Sequence, residues 1–75
     1  MTPYHNPASG IDAYEYDDNS IRIRFKGGTV YEYRSPPIAS HHINTMKQHA
    51  DSKDDLNTYI NTHRDEVYSK ARKLS

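Results

Sequence analysis

Two residue types that hold RNA in other proteins stand close together in the middle of the sequence. Arginine contacts phosphate groups, and tyrosine rings stack on unpaired bases, which is how sheet-based RNA-binding modules work. The candidate nucleic-acid-binding residues are Arg22, Arg24, Lys26, Arg34, Tyr31 and Tyr33. RNA is therefore the first partner that we expect.

The five histidines do not follow a metal-binding motif. His41 and His42 are adjacent, so their side chains would point about 100° apart on a helix. His42 and His49 share a helical face but are separated by two turns, and no His-Glu-x-x-His pattern is present. The acidic run 51–55 lacks the glycine and the glutamate of a calcium loop. We expect no metal and no cofactor.

Signals for catalysis are equally weak. The chain has no cysteine, which removes thiolate chemistry and cysteine-ligated zinc. Ser40 and His41 are not accompanied by a nucleophile elbow or an oxyanion-type glycine loop, and Gly27-Gly28 does not follow the spacing of a phosphate-binding loop. A chain of 75 residues has little volume for a pocket that excludes water. We predict no catalytic residues and no enzymatic activity.

Length and composition indicate one small domain with a core rich in tyrosine. The chain has seven tyrosines, whose rings can be buried while their hydroxyls stay hydrated. Ten basic residues balance ten acidic residues, which argues against a general attraction to nucleic acid but leaves room for a local patch. No apolar run approaches the roughly 20 residues of a membrane span, and the first residues do not resemble a signal peptide. We expect a cytoplasmic protein with no membrane partner.

Alternating apolar and polar residues predict three β-strands in the first half of the chain. The strands are expected near 11–17, 20–26 and 29–34. A polar turn cluster joins the first two strands, and Gly27-Gly28 supplies residues that are free to adopt positive φ between the second and the third. This order predicts a three-stranded antiparallel meander.

The second half of the chain has helical periodicity. Apolar residues spaced by three and four predict a helix near 37–49 and a second near 54–73, both packed on the sheet. Residues 1–8 contain two prolines and few apolar side chains, so we expect a flexible leader there. The predicted fold class is α+β, with a single domain over residues 9–75.

The register of the second hairpin decides where the two central tyrosines point. A two-residue glycine loop would place Arg24 opposite Tyr31 and make an exposed arginine–tyrosine surface. A three-residue loop would place Ile23 opposite Tyr31 and Ile21 opposite Tyr33, with both rings in the core. A shift of one residue turns the side chains of one strand to the other face of the sheet. We favour the three-residue loop because it gathers the apolar side chains on one face, and the arginines then form a basic patch on the opposite face.

A series of residues spread over most of the chain follows a family pattern. The matching positions are Ser9-x-Ile11, Tyr16-Asp17, Ile21-x-Ile23-x-Phe25, Gly28, Val30-Tyr31-x-Tyr33, Pro37, Ala50-x-Ser52, Leu56-Asn57 and Ile60. Over roughly residues 9–68 the sequence resembles the KTSC domain, which extends some lysyl-tRNA synthetases at their C-terminus and also occurs as stand-alone small bacterial and phage proteins. Pro36, Asp54 and Leu56 depart from the residues that are usual in the family. The resemblance implies a KTSC-like domain, for which RNA binding has been suggested.

Two functions are consistent with these observations. The first is a non-catalytic binding module that contacts RNA through the basic face of the sheet. The alternative is a small protein–protein interaction module, for instance a phage or mobile-element protein that modulates a host complex. Exposed outer edges of the predicted sheet fit the alternative, because an unpaired strand edge can pair with another chain.

Overall fold

The sheet has two more strands than the sequence predicts. The computed structural model describes residues 1–6 and 9–75. Five strands form one antiparallel sheet in the order β1-β2-β3-β4-β5, accompanied by two helices. In chain order the elements are β1 (Thr2–Pro3), β2 (Ile11–Tyr16), β3 (Ser20–Phe25), β4 (Val30–Arg34), α1 (Ser40–Ser52), α2 (Leu56–Thr62), a 3-10 turn (Tyr68–Lys70) and β5 (Arg72–Lys73). The α+β class is confirmed, whereas the three-stranded meander is wrong because a short strand flanks it on each side.

The hairpin between β3 and β4 has the register that the apolar pattern favours. Ile23 lies opposite Tyr31, and residues 26–28 form the loop. Gly27 and Gly28 adopt φ values of 104° and 97°, a region in which residues with a Cβ atom are strained. The three-residue loop is therefore confirmed, and the apolar side chains of both strands share one face of the sheet.

The N-terminal segment is part of the fold. β1 pairs with the edge of β2, and Tyr4 is only 4% exposed. The Tyr4 N–H donates to the Asp12 carbonyl at 3.0 Å, and the Tyr4 hydroxyl accepts from the Leu56 N–H at 3.4 Å. The predicted loose leader is therefore wrong for residues 1–6, because one large ring is enough to anchor the segment and an edge strand tolerates proline. The part of that prediction that concerns residues 7–8 lies outside the described residues.

The second helix is much shorter than predicted. α2 ends at Thr62, and the chain continues through turns to β5, which pairs with β4. Val67 is fully buried and Ala71 packs against the core, so the apolar spacing that suggested a helix reflects core contacts made by irregular backbone. The predicted helix over 54–73 is therefore wrong beyond Thr62, where the free edge of β4 offers an alternative set of backbone hydrogen bonds.

The first helix is shifted along the chain relative to the prediction of 37–49. It spans Ser40–Ser52, because the Ile38 N–H donates to the Arg34 carbonyl at 3.0 Å and keeps the preceding residues in a turn. At its end Lys53 adopts a left-handed conformation with φ of 58°, and its N–H donates to the Ala50 carbonyl. This arrangement satisfies one of the last helical carbonyls and stops the helix.

The core lies between the helices and one face of the sheet. Its buried members are Tyr4, Ile11, Tyr14, Ile21, Ile23, Tyr33, Ile38, Ile43, Met46, Ala50, Leu56, Ile60 and Val67. On the opposite side of the sheet are Arg22, Arg24, Glu32 and Arg34, which we call the outer face. No helix within the described residues is both long and apolar enough to span a membrane.

Candidate functional site

The central arginine of the outer face is surrounded by carboxylates. The Arg22 Nε atom lies 2.8 Å from Glu15 Oε2, and its Nη1 atom lies 3.2 Å from Glu32 Oε2 and 3.7 Å from Asp17 Oδ2. The hydrogen bond to Glu15 is the largest reason why the pKa of the Arg22 guanidinium is raised. The Arg22 side chain is only 22% exposed, so it holds three strands of the sheet together more than it presents a charge to solvent.

The other two arginines of the outer face are also paired. Arg24 Nε lies 2.9 Å from Asp12 Oδ2, and Arg34 Nε lies 3.3 Å from Glu32 Oε1. Hydrogen bonds donated by Arg34, and then by Arg22, hold the pKa of Glu32 below its ordinary value although burial opposes this. The outer face thus combines each arginine with at least one carboxylate, and its local charge is close to balanced.

The remaining residues of the predicted set are not part of the outer face. Tyr33 is 1% exposed and Tyr31 is partly buried, both on the core side of the sheet. Lys26 is in the hairpin loop, where its N–H donates to the Gly10 carbonyl at 2.8 Å. The sheet therefore separates the tyrosines from the arginines, and the alternative arginine–tyrosine platform does not form.

The two tyrosines instead line a pocket at the edge of the core, between the β3–β4 hairpin and the C-terminal segment. This aromatic pocket has a volume of about 230 Å³ and is lined by Phe25, Tyr31, Tyr33, Tyr68 and Ala71. The rings of Phe25 and Tyr31 meet edge to face, with centroids 5.9 Å apart. Tyr68 is 51% exposed, so one wall of the aromatic pocket is open to solvent.

The phenol groups of the aromatic pocket influence one another. Burial is the main reason why the pKa of Tyr33 is raised, and the nearby phenols of Tyr68 and Tyr31 raise it further. The guanidinium carbon of Arg64 lies 5.9 Å from the centre of the Tyr68 ring, within the range of a cation–π contact. The aromatic pocket therefore combines apolar walls, three phenol groups and a neighbouring positive charge.

Basic residues continue along the C-terminal segment beside the aromatic pocket. Residues 68–74 include Lys70, Arg72 and Lys73, which we call the basic rim, and no carboxylate. Lys73 lies directly opposite Tyr31 in the β4–β5 ladder, so its side chain is on the same side of the sheet as the aromatic pocket. Within the described residues no ion pair joins the basic rim to a carboxylate, in contrast to the arginines of the outer face.

Histidines from α1 and from the segment after α2 form a second polar cluster. His42 is buried, with Nδ1 2.6 Å from the Tyr59 hydroxyl and Nε2 2.8 Å from Glu66 Oε2. The ring of His63 stacks on Tyr59 at 4.1 Å. A neutral imidazole satisfies both contacts by accepting from the phenol and donating to the carboxylate. Both ring nitrogens of His42 are thus occupied, and among the described residues no group of three potential ligands could hold a metal ion.

A third polar cluster joins the sheet to α1. The hydroxyls of Tyr14 and Tyr16 donate to the two carboxylate oxygens of Asp51 at 2.9 Å and 2.8 Å. Burial, followed by the hydrogen bond to Asp51, raises the pKa of Tyr14 to about 12. Lys47 lies 5.1 Å from the centre of the Tyr16 ring. These groups satisfy one another, which indicates a structural role.

Comparison with known proteins identified no relative of this chain. No family model, no curated protein and no solved structure matches the chain. The resemblance to the KTSC domain therefore stays a prediction that rests on the residues quoted above.

Sequence reasoning missed the half of the aromatic pocket that the C-terminal segment provides. Tyr68 and Ala71 fall in the stretch that the apolar spacing assigned to a helix, where a ring beside Lys70 and Lys73 has no special meaning. The available signal was the charge pattern, since residues 68–74 carry basic side chains without any acidic one. The histidine cluster joins residues 17 and 24 positions apart, and no local motif reveals such a contact.

Proposed function

We propose that the protein is a non-catalytic binding module for single-stranded RNA, and that RNA binds where the basic rim meets the aromatic pocket. The observation that carries this proposal is the contrast between paired and unpaired cations. Lys70, Arg72 and Lys73 have no ion pair within the described residues. Lys73 lies on the side of the sheet that carries the aromatic pocket, whereas Arg72, opposite Glu32, lies on the outer side of the same edge. Cations beside aromatic rings are the combination by which proteins bind single strands without catalysis.

The outer face is the weaker candidate for the same function. A phosphate that approaches Arg22, Arg24 or Arg34 must compete with carboxylates already 2.8 Å to 3.3 Å away. Release of counterions, which is the main source of affinity for nucleic acid, is small where the protein's own acidic groups already neutralise the cations. The resemblance to a domain appended to synthetases agrees with RNA as the ligand, and the proposal places the protein in the cytoplasm.

A protein–protein interaction module is the second candidate. Tyr68 and Leu74 are exposed at 51% and 45%, and both belong to the C-terminal segment that closes the sheet. Exposed aromatic and aliphatic side chains are typical of the centre of a protein interface. Salt separates the two candidates, because phosphate contacts weaken steeply as salt is added.

The first test measures RNA binding over a series of salt concentrations. If three phosphates are contacted, the logarithm of the affinity should fall with the logarithm of the salt concentration with a slope of about −2. The double variant Lys70→Gln and Lys73→Gln should weaken binding by about fivefold for each lysine at low salt, the scale of a contact between unit charges in water. It should also reduce the slope to about −0.7.

The control removes the same charge elsewhere. Lys47→Gln with Lys53→Gln changes α1 and its C-cap, away from the basic rim, and should leave the affinity and the slope unchanged. A wild-type protein that does not bind RNA even at low salt would rule the function out. If the double variant Arg24→Gln with Arg34→Gln weakens binding and the lysine variant does not, the RNA binds on the outer face instead.

A further inference from the structure

The seven tyrosines fall into two groups according to what their hydroxyls contact. Hydroxyls that bond to protein groups are those of Tyr4, Tyr14, Tyr16 and Tyr59. No described residue forms a hydrogen bond with the hydroxyl of Tyr31, Tyr33 or Tyr68, and these three tyrosines all line the aromatic pocket. The unused hydroxyls are thus concentrated at one place.

Tyr33 is the most informative of the three. Tyr33 is 1% exposed, and a hydroxyl in such a buried environment requires a hydrogen-bonding partner. No side-chain oxygen or nitrogen in the described residues is fully buried without a partner, so the Tyr33 hydroxyl opens into the aromatic pocket. Its partner is therefore water or a ligand that enters the pocket.

We propose that the aromatic pocket takes one unstacked base of a single RNA strand. This inference rests on the proposed function and names the group that the site recognises. A volume of about 230 Å³ is below the roughly 300 Å³ at which pockets for drug-sized ligands begin, and it suits one planar ring system. A base stacks on the exposed ring of Tyr68 and packs against the edge-to-face pair of Phe25 and Tyr31, while its polar edge bonds to the free hydroxyls.

The surrounding charges favour a nucleotide over other occupants of an aromatic pocket. A cationic ligand, which aromatic walls can also bind, would be repelled by Arg64 and Lys73. An apolar peptide side chain would leave the Tyr33 hydroxyl without a partner. A nucleotide satisfies the hydroxyls and the positive charges together. Its base bonds to the tyrosine hydroxyls, and its phosphate contacts Lys73 or Lys70.

The test compares two RNA strands with the same number of phosphates. One is a six-nucleotide adenylate strand, and the other is a six-unit strand of the same backbone without bases. The wild-type protein should bind the abasic strand about tenfold more weakly, the scale expected when one stacked base is lost. Tyr68→Leu should weaken binding of the intact strand by about tenfold and remove the difference between the two strands.

Matched variants separate recognition of the base from a loss of structure. Tyr16→Leu replaces a tyrosine of similar exposure, 42%, that does not line the aromatic pocket, and it should keep the preference for the intact strand. Tyr31→Phe keeps the ring but removes a hydroxyl, so it should reduce that preference by less than Tyr68→Leu does. Thermal melting of each variant checks that it is folded.

The outcomes distinguish this inference from the function on which it rests. Binding of neither strand at low salt would reject the RNA-binding function and the base pocket together. Equal binding of both strands, unaffected by Tyr68→Leu but weakened by Lys70→Gln with Lys73→Gln, would reject the base pocket and retain RNA binding. A preference for the intact strand that Tyr68→Leu abolishes and Tyr16→Leu preserves would support both.

Discussion

At the scale of single residues, two tyrosines that point to the same side of one strand differ in their environment. The ring of Tyr33 is buried in the core and only its hydroxyl opens into the aromatic pocket, whereas Tyr31 lines the same pocket and is only partly buried. Strand alternation predicts that both rings share a face. It cannot predict how deep each ring lies, because depth depends on Tyr68 and Ala71 from a distant part of the chain. The motif thus joins a tyrosine whose ring is part of the core to one whose ring a ligand can reach.

This difference predicts unequal effects of truncation. Tyr33→Ala should leave a cavity and destabilise the protein by about 3 kcal/mol, a large part of the roughly 5 kcal/mol available to a small domain. Tyr31→Ala should cost less, about 2 kcal/mol, because its ring is only partly removed from water. Thermal or urea unfolding of both variants, with Tyr33→Phe as the control that keeps the ring, measures the difference. Equal losses of stability in the two alanine variants would show that the rings are equally buried.

The basic residues were identified from the sequence, but their pairing was not. Alternation correctly places Arg22 and Arg24 on the side of β3 away from the apolar residues. That they face Glu15, Glu32 and Asp12 follows from the strand registers and from a bulge in β2, which local patterns do not encode. From the sequence alone, arginines on an exposed sheet face are expected to tolerate replacement without loss of stability. The structure changes this expectation, because replacing Arg22 would leave the buried Glu32 with one cationic partner fewer.

At the scale of elements, the sequence predicted those parts of the fold that are long enough to show a period. The residues of β3 alternate without interruption, and a glycine pair follows them, so the central hairpin and its register could be derived. β1 and β5 have two residues each, too few for any alternation to be visible. They form because the edges of β2 and β4 present unpaired backbone groups, a property of the assembled sheet.

The N-terminal strand makes a testable contribution to stability. Removal of residues 1–6 eliminates β1 and the buried ring of Tyr4, and we expect the melting temperature to fall by more than about 10 °C. This estimate combines about 3 kcal/mol for a lost core aromatic residue with a shift of roughly 4–8 °C per kcal/mol in a domain of this size. Tyr4→Ala alone should reproduce most of the effect, and Thr2→Ala, an exposed position, should reproduce little. A truncated protein that melts within a few degrees of the full chain would contradict a core role for Tyr4.

At the scale of the whole molecule, equal numbers of acidic and basic residues are distributed unevenly. Four of the ten carboxylates neutralise the arginines of the outer face, and none lies within residues 68–74 beside the basic rim. A net charge of zero therefore describes a molecule with one balanced face, one positive edge and a compensating acidic surplus elsewhere. The net charge can be read from the sequence. The location of the excess positive charge depends instead on β5, whose pairing with β4 places the last basic residues beside the hairpin.

The same charge distribution predicts how stability depends on pH. The pKa values of Asp17 and Glu32 are lowered from ordinary values of 3.8 and 4.5. A carboxylate with a lowered pKa stabilises the fold above its unfolded pKa, and this contribution is lost as the pH falls through the folded value. Stability should therefore begin to decline near pH 4.5. At the alkaline end, the pKa of Tyr14 is raised from 10.0 to about 12. The protonated phenol of Tyr14 therefore stabilises the fold below pH 10, and this contribution is lost as the pH rises towards 12.

Glu32→Gln provides the decisive measurement on the acidic side. The amide cannot titrate, so the variant should melt at a lower temperature than the wild type at pH 7. The two melting temperatures should then converge as the pH falls below 4.5, where the wild type loses the same charge. Asp65→Asn removes an exposed carboxylate that has no ion pair within the described residues, and its melting temperature should run parallel to that of the wild type from pH 3 to pH 7. If the difference caused by Glu32→Gln were independent of pH, the stabilising effect of Glu32 would come from packing, and the ion pairs of the outer face would contribute little.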